Sequence, residues 1–344
     1  MEYARIAGTD LSVSRIGLGT WAIGGWLWGG ADDDEAVRTI RSAVDRGINL
    51  IDTAPVYGFG HAEEVVGRAL KETRARDRVV IATKVGLNWR DGQPFRDSRP
   101  ERIVGEVEMS LRRLGTDYID IYQVHWPDPE TPIAAVAEVT QKLLEQGKIR
   151  AVGVSNFSRD QMHEFRRVAR IHTVQPPLNL FERESENVVL PYCNWHGIAV
   201  LAYGPICRGL LSGRMRADTS FTGDDLRTTD PKFQPPRYYE YLRAVAELDR
   251  FAAENYGKRV IDLALRWVLD QPGVTSALWG ARRPSQLEPV NEVMGWKLDG
   301  TAMREIGRIL RRTVTHPIGP EFMAPPSRAR RSPMEENAAA AASL

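Results

Sequence analysis

Cysteine is nearly absent from this chain: Cys193 and Cys207 are the two it has in 344 residues. That is too few for a disulfide framework, and their spacing is not that of a zinc site. Charge of one sign is missing too. Forty-six basic residues face 45 acidic ones, a formal net charge of +1, so nothing marks a dedicated nucleic-acid surface and small molecules are the default partners. The six histidines are scattered, which leaves a metal-dependent hydrolase without converging ligands, and no metal is expected. No run approaches the roughly 18 apolar residues of a membrane helix. The N-terminal MEYARIAGTDLSVSRIG lacks the charged head and apolar core of a leader, so a reducing cytoplasm is the expected compartment. No G-x-G-x-x-G follows the first strand, which counts against a doubly wound dinucleotide fold.

What is present is a rhythm. A small hairpin over Tyr3 to Val13 reads as a cap. Short apolar runs then alternate with amphipathic stretches. Strands are expected at 15–19, 48–52, 78–84, 118–124, 148–154, 172–175, 198–203 and 274–279. The helices fall at 33–46, 62–73, 100–114, 132–146, 158–167, 184–195, 238–254, 260–269 and 284–294. Units of about 30 residues with nearly continuous apolar strands match a (β/α)8 TIM barrel, whose sheet is buried on both faces. An extra C-terminal helix is expected over 299–312, followed by an extended Pro-rich segment to Pro326. We read residues 1–325 as one domain, no linker dividing it, and the biased tail 326–344 as disordered.

The chemistry gathers at strand ends. INLIDTAPVYGFG places Asp52 and Tyr57 just beyond the second strand, IATKVG places Lys84 at the third, and DIYQVHWPDP places His125 at the fourth. Taken singly, each has a plainer reading: a helix cap, a solvated ammonium, a packing histidine. A barrel, however, turns distant strand ends into one ring of neighbours. A free phenol, with a pKa near 10, is a weak acid at pH 7. A nearby ammonium should bring it down, and a carboxylate paired with that ammonium would hold it in place. A histidine opposite could donate to a carbonyl oxygen. Such a ring suits protonation of an alkoxide formed by hydride attack.

With these motifs in place the sequence resembles the aldo-keto reductases, most closely a bacterial NADPH-dependent subgroup that includes general stress proteins. The resemblance runs from GLGTWAIGG through NLIDTAPVYGFGHAEEVVGRAL, IATKVGL, DYIDIYQVHWPD, GKIRAVGVSN and YGPICRGLLSG to GARRPSQLE. It implies catalytic roles for Asp52, Tyr57, Lys84 and His125 and an extended NADPH (NADP+) cofactor. It also implies that Ser155, Asn156 and Gln175 hold the nicotinamide carboxamide, that Tyr203 stacks on the ring, and that Thr20, Trp21 and Asp52 lie beside it. The loop Gly204, Pro205, Ile206, Cys207, Arg208 through Arg214 would take the pyrophosphate, with Arg227 a further candidate. Gly280, Ala281, Arg282 and Arg283 would take a 2′-phosphate and Gln286 the adenine. The family's usual Asn after this Gln is displaced, Val290 standing near its place.

The resemblance therefore implies an NADP-dependent oxidoreductase that reduces aldehydes or ketones, with Tyr57 as general acid. Trp21, Trp28, Trp89 and Trp126, with Tyr57 and His125, are candidate walls of the substrate pocket. Two alternatives remain open: a cofactor-sensing partner protein with little turnover, as in channel-associated relatives, and a sugar or alcohol dehydrogenase working oxidatively.

Overall fold

The computed structural model describes residues 1–328; the expectation of a disordered tail falls outside the described residues from 329 onward. Strands β1 (Tyr3–Arg5) and β2 (Ser12–Ser14) pair antiparallel ahead of the barrel. Their hairpin buries Ile6, Leu11 and Val13 against Leu50, Val80, Ile121 and Leu201, closing the N-terminal end of the barrel with apolar side chains. In chain order follow β3 (Ile16–Gly19), α1 (Asp33–Asp45), β4 (Leu50–Asp52), α2 (His61–Thr73) and β5 (Val80–Val85). A hairpin of β6 (Leu87–Arg90) and β7 (Gln93–Arg96) precedes α3 (Pro100–Leu114), β8 (Ile119–Val124), α4 (Ile133–Glu145), β9 (Ile149–Ser155) and α5 (Arg159–Arg166). The chain continues with β10 (Thr173–Gln175), α6 (Val189–His196), β11 (Ala199–Tyr203), α7 (Arg237–Tyr256), α8 (Val260–Leu269), β12 (Val274–Gly280) and α9 (Gly300–Thr313). Strands β3, β4, β5, β8, β9, β10, β11 and β12 form a closed barrel with every neighbouring pair parallel.

Local sequence explains where the helices start and stop. Asp32 caps α1 by accepting from the Glu35 amide, and three acids in the first turn complement the helix dipole. Pro100 sits in the first turn of α3, and Gly115 ends it in the left-handed conformation. Ser158 and Gln161 form a capping box on α5.

Three expectations are corrected. The stretch 284–294 is a 3₁₀ helix, Pro284–Val293, because Pro289 inside it has no N–H to continue an α ladder. The stretch 184–195 splits into a 3₁₀ turn, Glu184–Glu186, and the shorter α6. Between 84 and 100, where no strand or helix is expected, residues 87–96 form the β6–β7 hairpin around Asp91-Gly92, both at positive φ, as a tight two-residue turn requires.

Two features position the mouth of the barrel. A Cβ on Gly24 would lie 2.7 Å from the main chain of Tyr57, so only glycine lets the loop after β3 close on the loop that carries the phenol. The segment after α9 runs back across the same end. The Arg96 amide donates to Pro326 O at 2.9 Å, the Arg96 side chain to Pro325 O at 2.8 Å, and Arg328 pairs with Asp97 and Asp128. Residues 326–328 are thus held against Arg96, Asp97 and Asp128.

Candidate active site

Asp52 ends β4, Lys84 lies next to last in β5, and His125 follows β8. The parallel register of neighbouring strands brings these ends to one rim. Lys84 is fully buried, and its Nζ donates to Asp52 Oδ1 at 2.6 Å and to Thr53 O at 2.9 Å. Asp52 Oδ2 accepts from Gln175 Nε2 at 2.7 Å and from Gln123 Nε2 at 3.3 Å. The Tyr57 ring stands with its centroid 5.0 Å from Lys84 Nζ and edge-on to His125, the ring centroids 5.8 Å apart at 83°. Trp21 stacks on the other side of Tyr57 at 5.9 Å and 21°. Among the described residues, neither the Tyr57 hydroxyl nor the His125 ring nitrogens have a hydrogen-bond partner. These free polar atoms face one cleft.

The electrostatics depart from the sequence argument at one point. The Tyr57 phenol is pushed well above its ordinary value by burial, and then by the negative charge of Asp52. The expected lowering by Lys84 does not occur in this site, because the ammonium is itself spent on Asp52 at short range. Burial depresses Lys84 despite that partner. His125 is pushed well below the usual imidazole value by burial and by the nearby Lys84 charge, so near pH 7 it is neutral, with one nitrogen a donor. A protonated phenol and a neutral imidazole N–H are the two groups a carbonyl oxygen needs to meet.

The His125 shift has a measurable consequence. The folded value lies below the unfolded one of about 6.5, so as pH falls through that value the unfolded chain binds a proton that the folded site refuses. Stability is therefore expected to fall with acidification below about pH 6.5, by at most about 1.4 kcal/mol per pH unit from this group. Urea unfolding of the wild type and of His125→Asn at pH 7 and 5.5 checks it: the variant should lose about one proton's worth of the slope. Equal slopes would show that His125 takes no part. His172, depressed by burial and by Arg170, is present in both proteins and cancels.

The cleft has a volume of about 1030 Å³. Lining it are Thr20, Trp21, Trp28, Asp52, Tyr57, His125, Trp126, Ser155, Asn156, Gln175, Tyr203, Gly204, Pro205, Ile206, Arg208, Arg227, Gly280, Arg282, Arg283 and Gln286. At its inner end, Ser155 Oγ donates to Gln175 O, Asn156 Nδ2 to His125 O, and Tyr203 OH to Asn156 Oδ1 at 3.0 Å. At its outer end, Gln286 Oε1 accepts from the amides of Arg282 and Arg283, fixing the first turn of the 3₁₀ helix. The Arg282 guanidinium is engaged, donating to Trp28 O and Gly30 O at 2.6 Å each. The Arg283 side chain is exposed and unpaired among the described residues.

Several expected residues are not brought into this arrangement. Arg208 borders the cleft, but its guanidinium is locked between Glu182 and Asp230, both at 2.5 Å, with the buried Lys232 on the same carboxylates. Its charge is matched inside the protein by these carboxylates. Arg214 is exposed and outside the lining, Cys207 and Ala281 are buried behind it, and Trp89 packs on Phe59 at 5.5 Å instead. Gln93 and Pro94 of the hairpin and Phe322, Met323 and Pro325 of the C-terminal segment also line the wall; sequence reading missed them, though the Asp-Gly turn was a legible signal for the hairpin. No group of three or more His, Cys, Asp or Glu among the described residues is arranged to hold a metal, and no helix among them is long and apolar enough to cross a membrane.

Comparison with known proteins agrees with the fold. Residues 15–311 match the model of the aldo/keto reductase family. The aldo-keto reductase YhdN of Bacillus subtilis (strain 168) is 59% identical over 328 residues, covering 95% of this chain and 99% of that one. The NADH-specific methylglyoxal reductase of Escherichia coli (strain K12) is 37% identical over 330 residues, covering 91% and 100%. Among solved structures, the glycerol dehydrogenase AKR11B4 from Gluconobacter oxydans superposes with a TM-score of 0.85 at 56% identity, covering 94% of this chain and 99% of that one. The aldo-keto reductase AKR11C1 from Bacillus halodurans, in its holo form, gives 0.76 at 29% identity, covering 90% and 96%.

Proposed function

Because this chain belongs to the aldo/keto reductase family, we propose that it is an NADPH-dependent cytoplasmic reductase of small aldehydes and ketones in which Tyr57 supplies the proton. The observation that carries this reading is the pairing, in one cleft, of two unpartnered polar side chains, Tyr57 and His125, above the buried Asp52–Lys84 pair. Bound in the cleft, a reduced nicotinamide would supply hydride to a carbonyl carbon. The chain's own residues account for the rest. His125, neutral, donates to the carbonyl oxygen and fixes its direction, and Tyr57 hands its proton to the same oxygen as negative charge develops there. Trp21 and Trp126 narrow the approach and keep water from that oxygen.

The donor set fits the cofactor at both ends. Ser155, Asn156 and Gln175 offer amide and hydroxyl groups suited to a carboxamide. Gly280, where an added Cβ would meet nothing within 4 Å, leaves open space beside Arg283, the cation free to take a phosphate. On this reading the preference for NADPH over NADH rests chiefly on Arg283. Arg283→Gln is expected to weaken NADPH binding about five- to tenfold, as loss of one exposed charge-assisted contact would, with NADH affinity unchanged. Fluorescence titration with both nucleotides checks it, and an equal effect on both would move the 2′-phosphate contact elsewhere.

The test of the activity is steady-state loss of NADPH absorbance with a panel headed by methylglyoxal and glyceraldehyde, since one relative is named for methylglyoxal. A flat panel together with no nucleotide binding would end the proposal. The second direction has support of its own, in the structural neighbour named a glycerol dehydrogenase. In reverse, with glycerol and NADP+ as substrates, Tyr57 must first release its own proton to solvent, and its phenolate then collects the alcohol proton; the alcohols corresponding to the same panel measure which way the enzyme is faster.

A further inference from the structure

Gln123, on β8, is fully buried and does not border the cleft. A buried amide costs free energy unless its donors and acceptor are used. Gln123 uses both ends: its Nε2 donates to Asp52 Oδ2 at 3.3 Å, and its Oε1 accepts from Gln175 Nε2 at 3.3 Å. Gln175 Nε2 also donates to Asp52 Oδ2 at 2.7 Å. The three side chains close a triangle whose remaining carboxylate oxygen holds Lys84.

The triangle has one consistent set of orientations. A carboxylate only accepts, so each amide must turn its nitrogen toward Asp52. The second N–H of Gln175 then meets the oxygen of Gln123, and Gln175 Oε1 is left as the one atom of that amide still able to accept from a ligand in the cleft. Remove Gln123, and Gln175 keeps its bond to Asp52 but loses the contact that fixes the plane of the amide about it.

The neighbouring strand is fitted to this arrangement. Gly153 of β9 pairs in register with Gln123 on one side and Thr173 on the other. A Cβ at Gly153 would lie 2.7 Å from Gln123 Cγ and 2.3 Å from Thr173 Oγ1. Gly153 has an ordinary strand backbone, so its reason is space: an empty position lets the Gln123 side chain lie across toward Gln175.

We propose that Gln123 is a positioning residue for the reaction: it touches neither cofactor nor substrate, but holds the Gln175 amide so that its oxygen receives the carboxamide N–H of a nicotinamide. This rests on the reading of Gln175 as a carboxamide contact. The test compares binding of NADP+ with binding of adenosine 2′,5′-bisphosphate, which lacks the nicotinamide, by calorimetry on the purified full chain. Gln175→Met is the benchmark, and Gln123→Met and Gly153→Ala probe the inference, each variant checked for folding by its thermal midpoint.

Gln123→Met is expected to weaken NADP+ about tenfold and the bisphosphate less than about twofold, in the pattern of Gln175→Met. Gly153→Ala should show the same selective loss through displacement of Gln123, and it carries the test if Gln123→Met does not fold. A Gln123→Met protein that loses affinity for both ligands equally, or for neither, while Gln175→Met shows the selective loss, would overturn the inference alone. A wild-type chain whose affinity does not depend on the nicotinamide, with Gln175→Met silent, would overturn the carboxamide reading and the inference with it.

Discussion

Tyr57→Phe is expected to lower kcat for carbonyl reduction about 10³-fold, in the range seen for removal of a positioned general acid. NADPH affinity and the thermal midpoint should change little. The size follows from the hydroxyl's surroundings. It has no hydrogen-bond partner among the described residues, so its removal leaves no buried group unsatisfied. The ring contacts with Trp21, His125 and Lys84 survive in phenylalanine. What is lost is the proton source, and kcat should fall with kcat/KM while nucleotide binding persists. Because burial and Asp52 both raise the phenol, it keeps its proton throughout the neutral range, and wild-type reduction should show no decline through pH 8 from deprotonation of Tyr57. Steady-state kinetics on both proteins with fluorescence titration of NADPH measures all of this. A variant that keeps a tenth of wild-type turnover would place the proton source elsewhere, and one that loses nucleotide binding alone would give Tyr57 a structural role.

Much of the architecture was legible because the signals were redundant. Apolar runs four to seven residues long recur with helix stops such as Gly115 between them, and eight such units admit few topologies. Two of the misread elements are those where one or two residues override the pattern. Pro289 turns an apparent helix into a 3₁₀ run, and Asp91-Gly92 converts polar loop into hairpin. The ring of Asp52, Tyr57, Lys84 and His125 could be read for the same reason as the barrel: strand ends are defined by the fold, and four reactive side chains at three neighbouring ends are improbable as filler.

Side-chain commitments were harder to read. Arg208 sits in a glycine-rich loop of the kind that cradles phosphate, yet nothing local shows that Glu182 and Asp230, 26 and 22 residues away, take its charge. Arg282 and Arg283 are adjacent and look equivalent, but one is consumed by the carbonyls of Trp28 and Gly30 while the other is free. The expected fall of the Tyr57 pKa is overturned chiefly by burial of the phenol and then by the Asp52 charge, while the Lys84 ammonium already has that carboxylate as its partner. A charge in sequence becomes a ligand-binding charge only when no closer partner claims it, and that partner is a tertiary fact.

The largest effect on folding is expected at Lys84, for this same reason. Its ammonium is fully buried, and Asp52 is nearly so. Lys84→Met leaves the carboxylate buried with only the amides of Gln175 and Gln123 as donors. Removing one partner of a buried pair costs about 3–5 kcal/mol, so the thermal midpoint should drop by about 4–7 °C. Turnover should fall as well, since nothing then offsets the Asp52 charge near the phenol. Asp52→Asn on top of Lys84→Met removes the stranded charge, because an amide can accept from Gln175 through its oxygen without carrying an ion into the core. The double variant is therefore expected to recover at least half of the lost stability and none of the lost turnover. Denaturant unfolding of the four proteins of this cycle, with kcat on each, separates the two roles: recovery of both would show the pair to be structural alone, and recovery of neither would mean that the Lys84 side chain is needed chiefly to fill the barrel.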